Sequence, residues 1–266
     1  MSDTSGMAMY GIEANPIGYI FEMGVLFFKV IGVSITAAGY YKYRADRSEE
    51  HIDFVEASLD GLRIAIGNGD ATSFRLFHER EDGYLWSASF GYSTKDFGGF
   101  YHIDAQGCSL KLTQDNFLDF VGQFCMSGSM DYAIFYHTDD VSEAMDYAAG
   151  QNLIKIYGFE NPSLFSRETG GRFRGLERYR AEKLRMVYPV NIINEAHLKL
   201  NIGERCLREW ISSDMSHGAL VQVTENLWHW GVNEKYLDLV NNELGPEGML
   251  VSWKPSSPRK TSKRIP

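Results

Sequence analysis

The sequence predicts an α+β protein in which mainly antiparallel sheets carry helices packed on one side, with an element order that allows two similar halves. Three observations lead to this fold class. The chain has 266 residues, of which 44% are hydrophobic and 14% aromatic, enough to fill a large core. Short aromatic segments between turn residues are typical of antiparallel strands, and apolar residues recur at helical spacing between them. A helix, strand, helix order occurs around residues 113–149 and again around 203–244.

The first elements are an apolar segment and a helix. Residues 23–39 form the strongest apolar run, but Lys29 and several glycines within it fit neither a membrane-spanning helix nor a signal peptide. We interpret this run as a buried strand or core segment. Residues 48–69 then predict a helix that begins at Ser48. Its apolar stripe consists of Ile52, Val55, Leu59, Leu62 and Ile66.

The remainder of the first half alternates strands and helices. Three aromatic-rich segments separated by turns predict strands, and they are residues 73–79, 84–92 and 99–105. Residues 113–128 predict a helix and residues 131–138 a strand. A further helix over 139–150 begins at Asp140, because Glu143 follows with the spacing of a capping box.

Pro, Gly and Ser mark a connection between the two halves. The predicted division is an amino-terminal α+β half at 1–157, a connecting loop at 158–175, a carboxyl-terminal α+β half at 176–253 and a disordered basic tail at 254–266. The second half predicts a mixed-charge helix through 185, strands at 186–193, 219–232 and 248–253, and helices at 203–213 and 234–244.

The segment Trp-His-Trp-Gly at 228–231 raises the question of a metal site. Alternation along a strand puts Trp228 and Trp230 on one face and His229 on the other, which favours a packed sheet and leaves room for a role in partner contact. A metal site would need further ligands nearby, and the sequence has no Cys/His pair or His-Glu-x-x-His motif.

Motifs of catalysis are absent from the sequence. Neither a Gly-x-Ser-x-Gly elbow, nor a Walker loop, nor a Rossmann glycine pattern occurs, and the seven histidines are scattered singly. We therefore predict no catalytic, cofactor-binding or metal-binding residues. The three cysteines are odd in number and widely separated, which indicates a reducing compartment, and we expect a cytoplasmic protein without a membrane segment.

Charge indicates the class of partner. The net charge is −9, and the last thirteen residues hold five basic and no acidic side chains, so residues 1–253 carry about −14. An acidic body disfavours nucleic acid and complements a basic protein. The candidate partner contacts form two clusters. One consists of Glu79, Glu81 and Asp82, and the other of Asp139, Asp140, Glu143 and Asp146.

An alternative is a nucleic-acid or scaffold-binding module that uses a basic helix at 171–185 and the tail. Against it, Glu177 and Arg180 have the spacing of oppositely charged residues that pair on one helix face.

Residues 186–253 resemble the carboxyl-terminal half of immunity proteins from bacterial polymorphic toxin systems. The Trp-His-Trp-Gly segment is similar to the W-x-G motif of one such family. The resemblance implies a non-catalytic antitoxin, without a cofactor, that binds one cognate toxin delivered by a type VI or similar secretion system. Such toxins are often nucleases of the restriction-endonuclease type, whose basic groove an acidic protein complements. An enzyme with an unrecognised site remains a further alternative.

Overall fold

The computed structural model describes residues 4–43, 52–79 and 86–254. Its strands are β1 (Thr4–Tyr10), β2 (Ala37–Tyr43), β3 (Ile52–Ala57), β4 (Phe74–Glu79), β5 (Trp86–Ser93), β6 (His102–Cys108), β7 (Tyr132–Thr138), β8 (Val190–Asn194), β9 (Asn201–Ile202), β10 (Arg205–Cys206), β11 (Ala219–Gln222) and β12 (Leu227–Gly231). Its helices are α1 (Ile17–Val30), α2 (Leu59–Asn68), α3 (Gln114–Phe124), α4 (Val141–Ala149), α5 (Pro162–Glu168), α6 (Glu195–Leu198), α7 (Leu207–Ser213) and α8 (Leu237–Leu244).

Ten of the strands form one antiparallel sheet in the order β11-β12-β8-β7-β1-β6-β5-β4-β2-β3, and β9 pairs with β10 separately. The predicted α+β class with antiparallel sheets is confirmed. Strands from both predicted halves belong to the same sheet, because β7 pairs with β8 through Ala133 and Ile192. The division into halves at 158–175 stays a prediction, and the short helix α5 lies within that segment.

The helices lie on both faces of the sheet, not on one side as the sequence predicts. Side chains alternate along β1, so that Met7 and Met9 join one hydrophobic core while Ala8 and Tyr10 join the other. Buried residues of α1, α2 and α3 belong to the first core, and buried residues of α4, α5, α7 and α8 belong to the second. The central strands are buried on both faces, so both faces need a helical layer.

Strand β1 occupies the centre of the sheet, between β6 and β7. Tyr10 lies opposite His102 on one side and opposite Tyr132 on the other. All seven residues of this strand are buried. No element is predicted here from the sequence, since the segment is rich in Gly, Ala, Ser and Met, which have little strand preference.

Two predicted elements of the first half differ in part from the structure. Residues 23–39, predicted as a buried strand or core segment, contain the second half of α1 and the first three residues of β2, and buried Phe27 and Phe28 confirm that the run belongs to the core. The helix predicted over 48–69 is wrong in its first part, where residues 52–57 form β3. Its second part is α2, which begins after Ser58, whose side chain accepts a hydrogen bond from the Gly61 amide. The predicted cap Ser48 lies outside the described residues.

Two predicted elements of the second half also differ. Residues 219–232 form a hairpin of two strands, β11 and β12, because a turn follows Gln222. Residues 248–253 make only isolated bridges, Leu250 with Leu184 and Trp253 with Glu160. The basic tail from residue 255 onward lies outside the described residues, and its disorder stays a prediction.

The basic helix predicted at 171–185 is wrong. Only Arg178–Arg180 form a short 3-10 turn, and Arg174 and Glu177 have positive φ angles of 48° and 52° that end any regular helix. Arg178 and Arg180 of this segment form ion pairs within the protein, whereas Arg172 and Arg174 are exposed. Arg178 pairs with Glu168, and Arg180 pairs with Asp131 at 2.6 Å and with Glu13 at 2.7 Å.

Candidate functional site

The outer strands of the sheet and helix α4 enclose an open groove. On the second face α4 packs over β1, β5, β6 and β7, whereas β4, β2 and β3 extend past it toward the sheet edge. Two adjoining cavities of about 730 and 450 Å³ form the groove, which we call the aromatic groove. The residues that line both cavities are Tyr41, Phe54, Arg75 and Met145.

Strand register explains why these side chains share a face. Tyr41 lies opposite Phe54, and Gly39 lies opposite both Arg75 and Glu56 in its two ladders. Directly opposed residues of antiparallel strands project to the same side, and so do residues two positions apart. The groove side of β2, β3 and β4 therefore carries aromatic rings, one arginine and two glutamates, Glu56 and Glu79.

Aromatic rings form the walls of the groove. The ring centres of Tyr41 and Phe54 are 5.1 Å apart, and Phe77 stacks on Trp86 with 4.6 Å between ring centres and an interplanar angle of 18°. Phe54 remains 40% exposed. Exposed aromatic side chains in a concave surface are typical of sites that bind a partner, because burying them on binding is favourable.

A buried ion pair forms the floor. The Arg75 guanidinium donates hydrogen bonds from Nη1 and Nη2 to the two Asp104 oxygens, at 2.7 and 2.9 Å. Burial alone would raise the pKa of Asp104, but the charge and hydrogen bonds of Arg75 outweigh it and hold the pKa below its usual value. Arg75 in turn keeps a raised pKa despite burial because of Asp104. The pair is therefore ionised and neutral overall.

Neighbouring polar groups complete this floor. Gln106 Nε2 donates to Asp104 at 2.8 Å, and Arg75 Nη1 also donates to the Ser89 hydroxyl at 3.1 Å. His102 Nε2 lies 3.8 Å from Asp104, yet burial lowers the pKa of His102 more than the carboxylate raises it. The histidine is thus neutral at neutral pH. Both oxygens of Asp104 accept hydrogen bonds from the side chains of Arg75 and Gln106.

Glycine at position 91 makes room for the ion pair. Gly91 lies opposite both Arg75 and Asp104 in the sheet, and a Cβ atom there would come within 2.5 Å of the Arg75 guanidinium carbon. Any side chain at this position would displace Arg75 from Asp104.

Acidic side chains line the rim. Glu56 from β3 and Glu79 from β4 border the wider cavity, and Asp146 from α4 borders the narrower one. The structure thus brings Glu79 and Asp146, which belong to different acidic clusters in the sequence, to one groove. Arg75 is the one cation among the described lining residues of these two cavities, and Asp104 neutralises it.

Of the other predicted contact residues, those that the structure describes lie away from the groove. Asp140 accepts a hydrogen bond from the Glu143 amide at 2.8 Å and so caps α4, and Asp139 is exposed just before it. Neither Asp139, Asp140 nor Glu143 lines the groove. Glu81 and Asp82 lie outside the described residues. A role of these five acidic residues in partner contact stays a prediction.

The sequence does not predict most of the groove. Its candidate contact residues do not include Tyr41, Phe54, Glu56, Arg75 or Asp104. The local signal for β3 is weak, since residues 52–57 include the strand-favouring Ile52, Phe54 and Val55 but do not alternate regularly between apolar and polar side chains. The same segment also matches a helical stripe with residues 59–66, which favours a helix.

The Trp-His-Trp-Gly segment forms strand β12, as predicted. Trp230 is fully buried and donates from Nε1 to the His217 carbonyl at 2.8 Å. Trp228 is only half-buried; its Nε1 donates to Glu195 at 2.7 Å, and the Arg208 guanidinium lies 4.2 Å from its ring centre. Burial lowers the pKa of His229, which points away from both indoles. This segment is thus packed structure, with Trp228 at the surface.

Residues 4–43, 52–79 and 86–254 contain neither a cluster of metal ligands nor a membrane-spanning helix. No group of three or more His, Cys, Asp or Glu side chains there could hold a metal ion. In the same part of the chain, no helix is long and apolar enough to cross a membrane.

Comparison with known proteins shows similarity in fold. No protein-family model matches the sequence, and no curated protein matches it either. A solved structure described as "Pseudomonas aeruginosa T6SS protein PA0821" is similar to this chain with a TM-score of 0.56 and 12% identity, over 97% of this chain and 77% of that one. The chain therefore shares its overall fold with that protein.

A second solved structure has a weaker similarity. It is described as the toxic C-terminal tip of CdiA from Pseudomonas aeruginosa in complex with immune protein, with 9% identity, and the match covers 52% of this chain and 87% of that one. Its TM-score of 0.25 does not indicate a shared fold.

Proposed function

We propose that this protein is an immunity protein that binds a cognate secreted toxin and neutralises it in a stoichiometric complex, without turnover. Similarity in fold to a T6SS protein over nearly the whole chain supports the context of secreted toxins. The resemblance of residues 186–253 to immunity proteins supports the same role. We further propose that it acts in the cytoplasm, where such a toxin would reach its target.

The observation that carries the proposal is the aromatic groove itself. Exposed Phe54 lies beside Glu56, Glu79 and Asp146, so the groove offers both apolar area and negative charge to a partner. Its floor does not offer a free acid or base, since Asp104 already accepts hydrogen bonds from Arg75 and Gln106. Such a surface suits binding better than proton transfer.

Net charge supports a basic toxin, and we propose a nuclease. An excess of about 14 negative charges over residues 1–253 would speed association with a positively charged nucleic-acid groove and compete with the nucleic acid for it. Association of this kind slows as salt rises, because the Debye length is only about 8 Å at physiological ionic strength.

Co-expression tests the proposal. The toxin encoded by the neighbouring gene is expressed in a sensitive host with this protein, with an empty vector, and with an unrelated acidic protein of similar charge. We expect growth to be restored only by this protein, and a complex of fixed stoichiometry to co-purify. Toxicity that persists together with no complex would refute the proposal.

A further inference from the structure

The aromatic groove and the acids on its rim together restrict the chemistry of what binds there. We propose that the groove receives a protruding segment of the toxin that presents an arginine or lysine side chain next to an apolar one. This inference rests on the proposed function and assigns that function to one surface.

The shape of the groove favours a protruding segment. The wider cavity, at about 730 Å³, lies in the range of roughly 300–1,000 Å³ that proteins use to enclose drug-sized ligands. A volume of this size accommodates one or two side chains of a partner. The narrower cavity continues along α4, so a short stretch of chain can follow the groove past Met145.

The charge of the groove favours a cationic side chain. Glu56, Glu79 and Asp146 stand on the rim, and the Arg75 charge is cancelled by Asp104 beneath it. A guanidinium entering between the walls could pair with a rim carboxylate while its face lies against an aromatic ring. Tyr41, Phe54, Phe77 and Trp86 provide those rings.

The same charge disfavours a second copy of this chain as the occupant. A second copy carries a net charge of −9 and would bring its own acidic surface against the acidic rim. On the other face of the sheet, α2 packs against β2 and β3, so the open side of these strands is the side that holds the groove.

Two groove variants test the inference. Phe54→Ala removes the most exposed ring of the walls, and the pair Glu56→Lys with Asp146→Lys reverses the rim charge. The matched control is the pair Asp119→Lys with Glu225→Lys, which makes the same change in net charge at exposed positions. Asp119 lies on α3 at the opposite face, and Glu225 lies in the hairpin turn at the far end of the sheet. Circular dichroism and thermal unfolding establish that each variant is folded.

The measurement is the Kd for the catalytically inactivated toxin from the neighbouring gene, at 50 and 300 mM salt. We expect Phe54→Ala to raise Kd at least tenfold through faster dissociation, with little dependence on salt. The Glu56→Lys/Asp146→Lys pair should raise Kd at least tenfold at low salt, mainly through slower association. The control should stay within threefold of the unchanged protein.

A charge-reversal scan of the toxin identifies the inserted side chain. Each exposed Arg or Lys of the toxin is changed to Glu, and one such change should restore binding to the Glu56→Lys/Asp146→Lys protein but not to the control.

Different failures separate the two proposals. If the unchanged protein does not bind the toxin, the proposed function fails. If the toxin binds both groove variants as tightly as the unchanged protein, immunity stands and the groove is the wrong surface. A dimer in sedimentation that Phe54→Ala dissociates, or binding of single-stranded DNA or RNA that Phe54→Ala abolishes, would also overturn the inference.

Discussion

The guanidinium carbon of Arg185 lies 3.7 Å from the centre of the Tyr147 ring, and both residues are completely buried. The Phe165 ring lies 3.8 Å from the same carbon, so the cation is held between two aromatic faces. Arg185 Nη1 also donates to the Tyr10 hydroxyl at 3.1 Å. Within the described part of the chain its Nε and Nη2 atoms have no hydrogen-bond partner. The aromatic faces and nearby negative charge therefore compensate this buried cation.

Arg185→Met removes the cation from between the Tyr147 and Phe165 rings and should destabilise the fold by about 2 kcal/mol or more, the value of a desolvated cation–π contact. Burial raises the pKa of the nearby Glu160 carboxyl above its usual value, and the charge of Arg185 offsets this only in part. Adding Glu160→Gln to Arg185→Met should therefore cost less than the two single changes summed. Urea unfolding of the four proteins in a double-mutant cycle measures the coupling. Simple additivity would show that the two charges do not interact.

Acidic pH should weaken the fold through His197. Burial lowers the pKa of this histidine to about 4, although its Nε2 lies within hydrogen-bonding distance of two backbone carbonyls. Its Nδ1 accepts a hydrogen bond from the Asn194 amide, which fixes the neutral form and would be lost on protonation. The unfolded histidine titrates near 6.5, so between pH 6.5 and 4 the unfolded state binds more protons. The stabilisation is complete above pH 6.5 and decreases below it.

The loss from His197 should reach about 3 kcal/mol by pH 4. Burial also lowers the pKa of His102, His137 and His229, which adds to the same trend. Urea unfolding at pH 7.5, 6 and 5 measures the free energy of unfolding. His197→Gln removes one titrating group and should make the dependence on pH shallower. If the free energy of unfolding depended on pH equally in both proteins, His197 would not be responsible for the effect.

Gly91→Ala should disrupt the floor of the groove. The added Cβ would meet the Arg75 guanidinium at 2.5 Å and push it away from buried Asp104, at a cost of about 3 kcal/mol or more. Gly107→Ala is the matched control in the neighbouring strand, since its Cβ would meet its neighbours at ordinary contact distances of 3.5–3.9 Å. Thermal unfolding should show a large decrease in Tm for the first variant and a small one for the second. Equal decreases in Tm would mean that Arg75 can move away from Asp104 without destabilising the fold.

The two indoles of β12 should contribute differently to the free energy of unfolding. Trp230→Ala removes a fully buried ring and leaves the His217 carbonyl without its donor, so we expect a loss of about 3–5 kcal/mol. Trp228→Ala affects a half-buried ring and should cost less than half as much. Denaturant unfolding measures both values, and Trp→Phe at each position shows how much the indole N–H contributes. A larger loss at Trp228 would contradict the burial pattern.

The sequence predicts those elements whose pattern has a single interpretation. Helix α4 begins at Asp140 because a side-chain cap is a local signal, and the aromatic residues of β12 lie between the turn residues at 224–226 and Gly231, which mark the ends of the strand locally. Residues 52–57 fit a strand and a helical stripe equally well, and pairing with β2 decides between them. Local pattern cannot contain that information, because the partner strand lies in another segment.

The candidate site is harder to predict for the same reason. Glu79 and Asp146 border one groove although they are far apart in sequence, and only the crossing of α4 over the sheet brings them together. Arg75 and Asp104 pair across β5, where Gly91 leaves space. A buried arginine and a buried aspartate look like ordinary surface charges in the sequence.

The central position of β1 has a consequence for synthesis in the cell. Strand β1 has a neighbour on each side only after both His102 and Tyr132, the partners of Tyr10, have left the ribosome. At roughly 5–20 residues per second, that delay is on the order of ten seconds, and during it the strand is exposed to chaperones and to other nascent chains. Long-range pairing of this kind also slows folding after release. Under the proposed function, protection against an arriving toxin would depend on molecules that had matured before the attack.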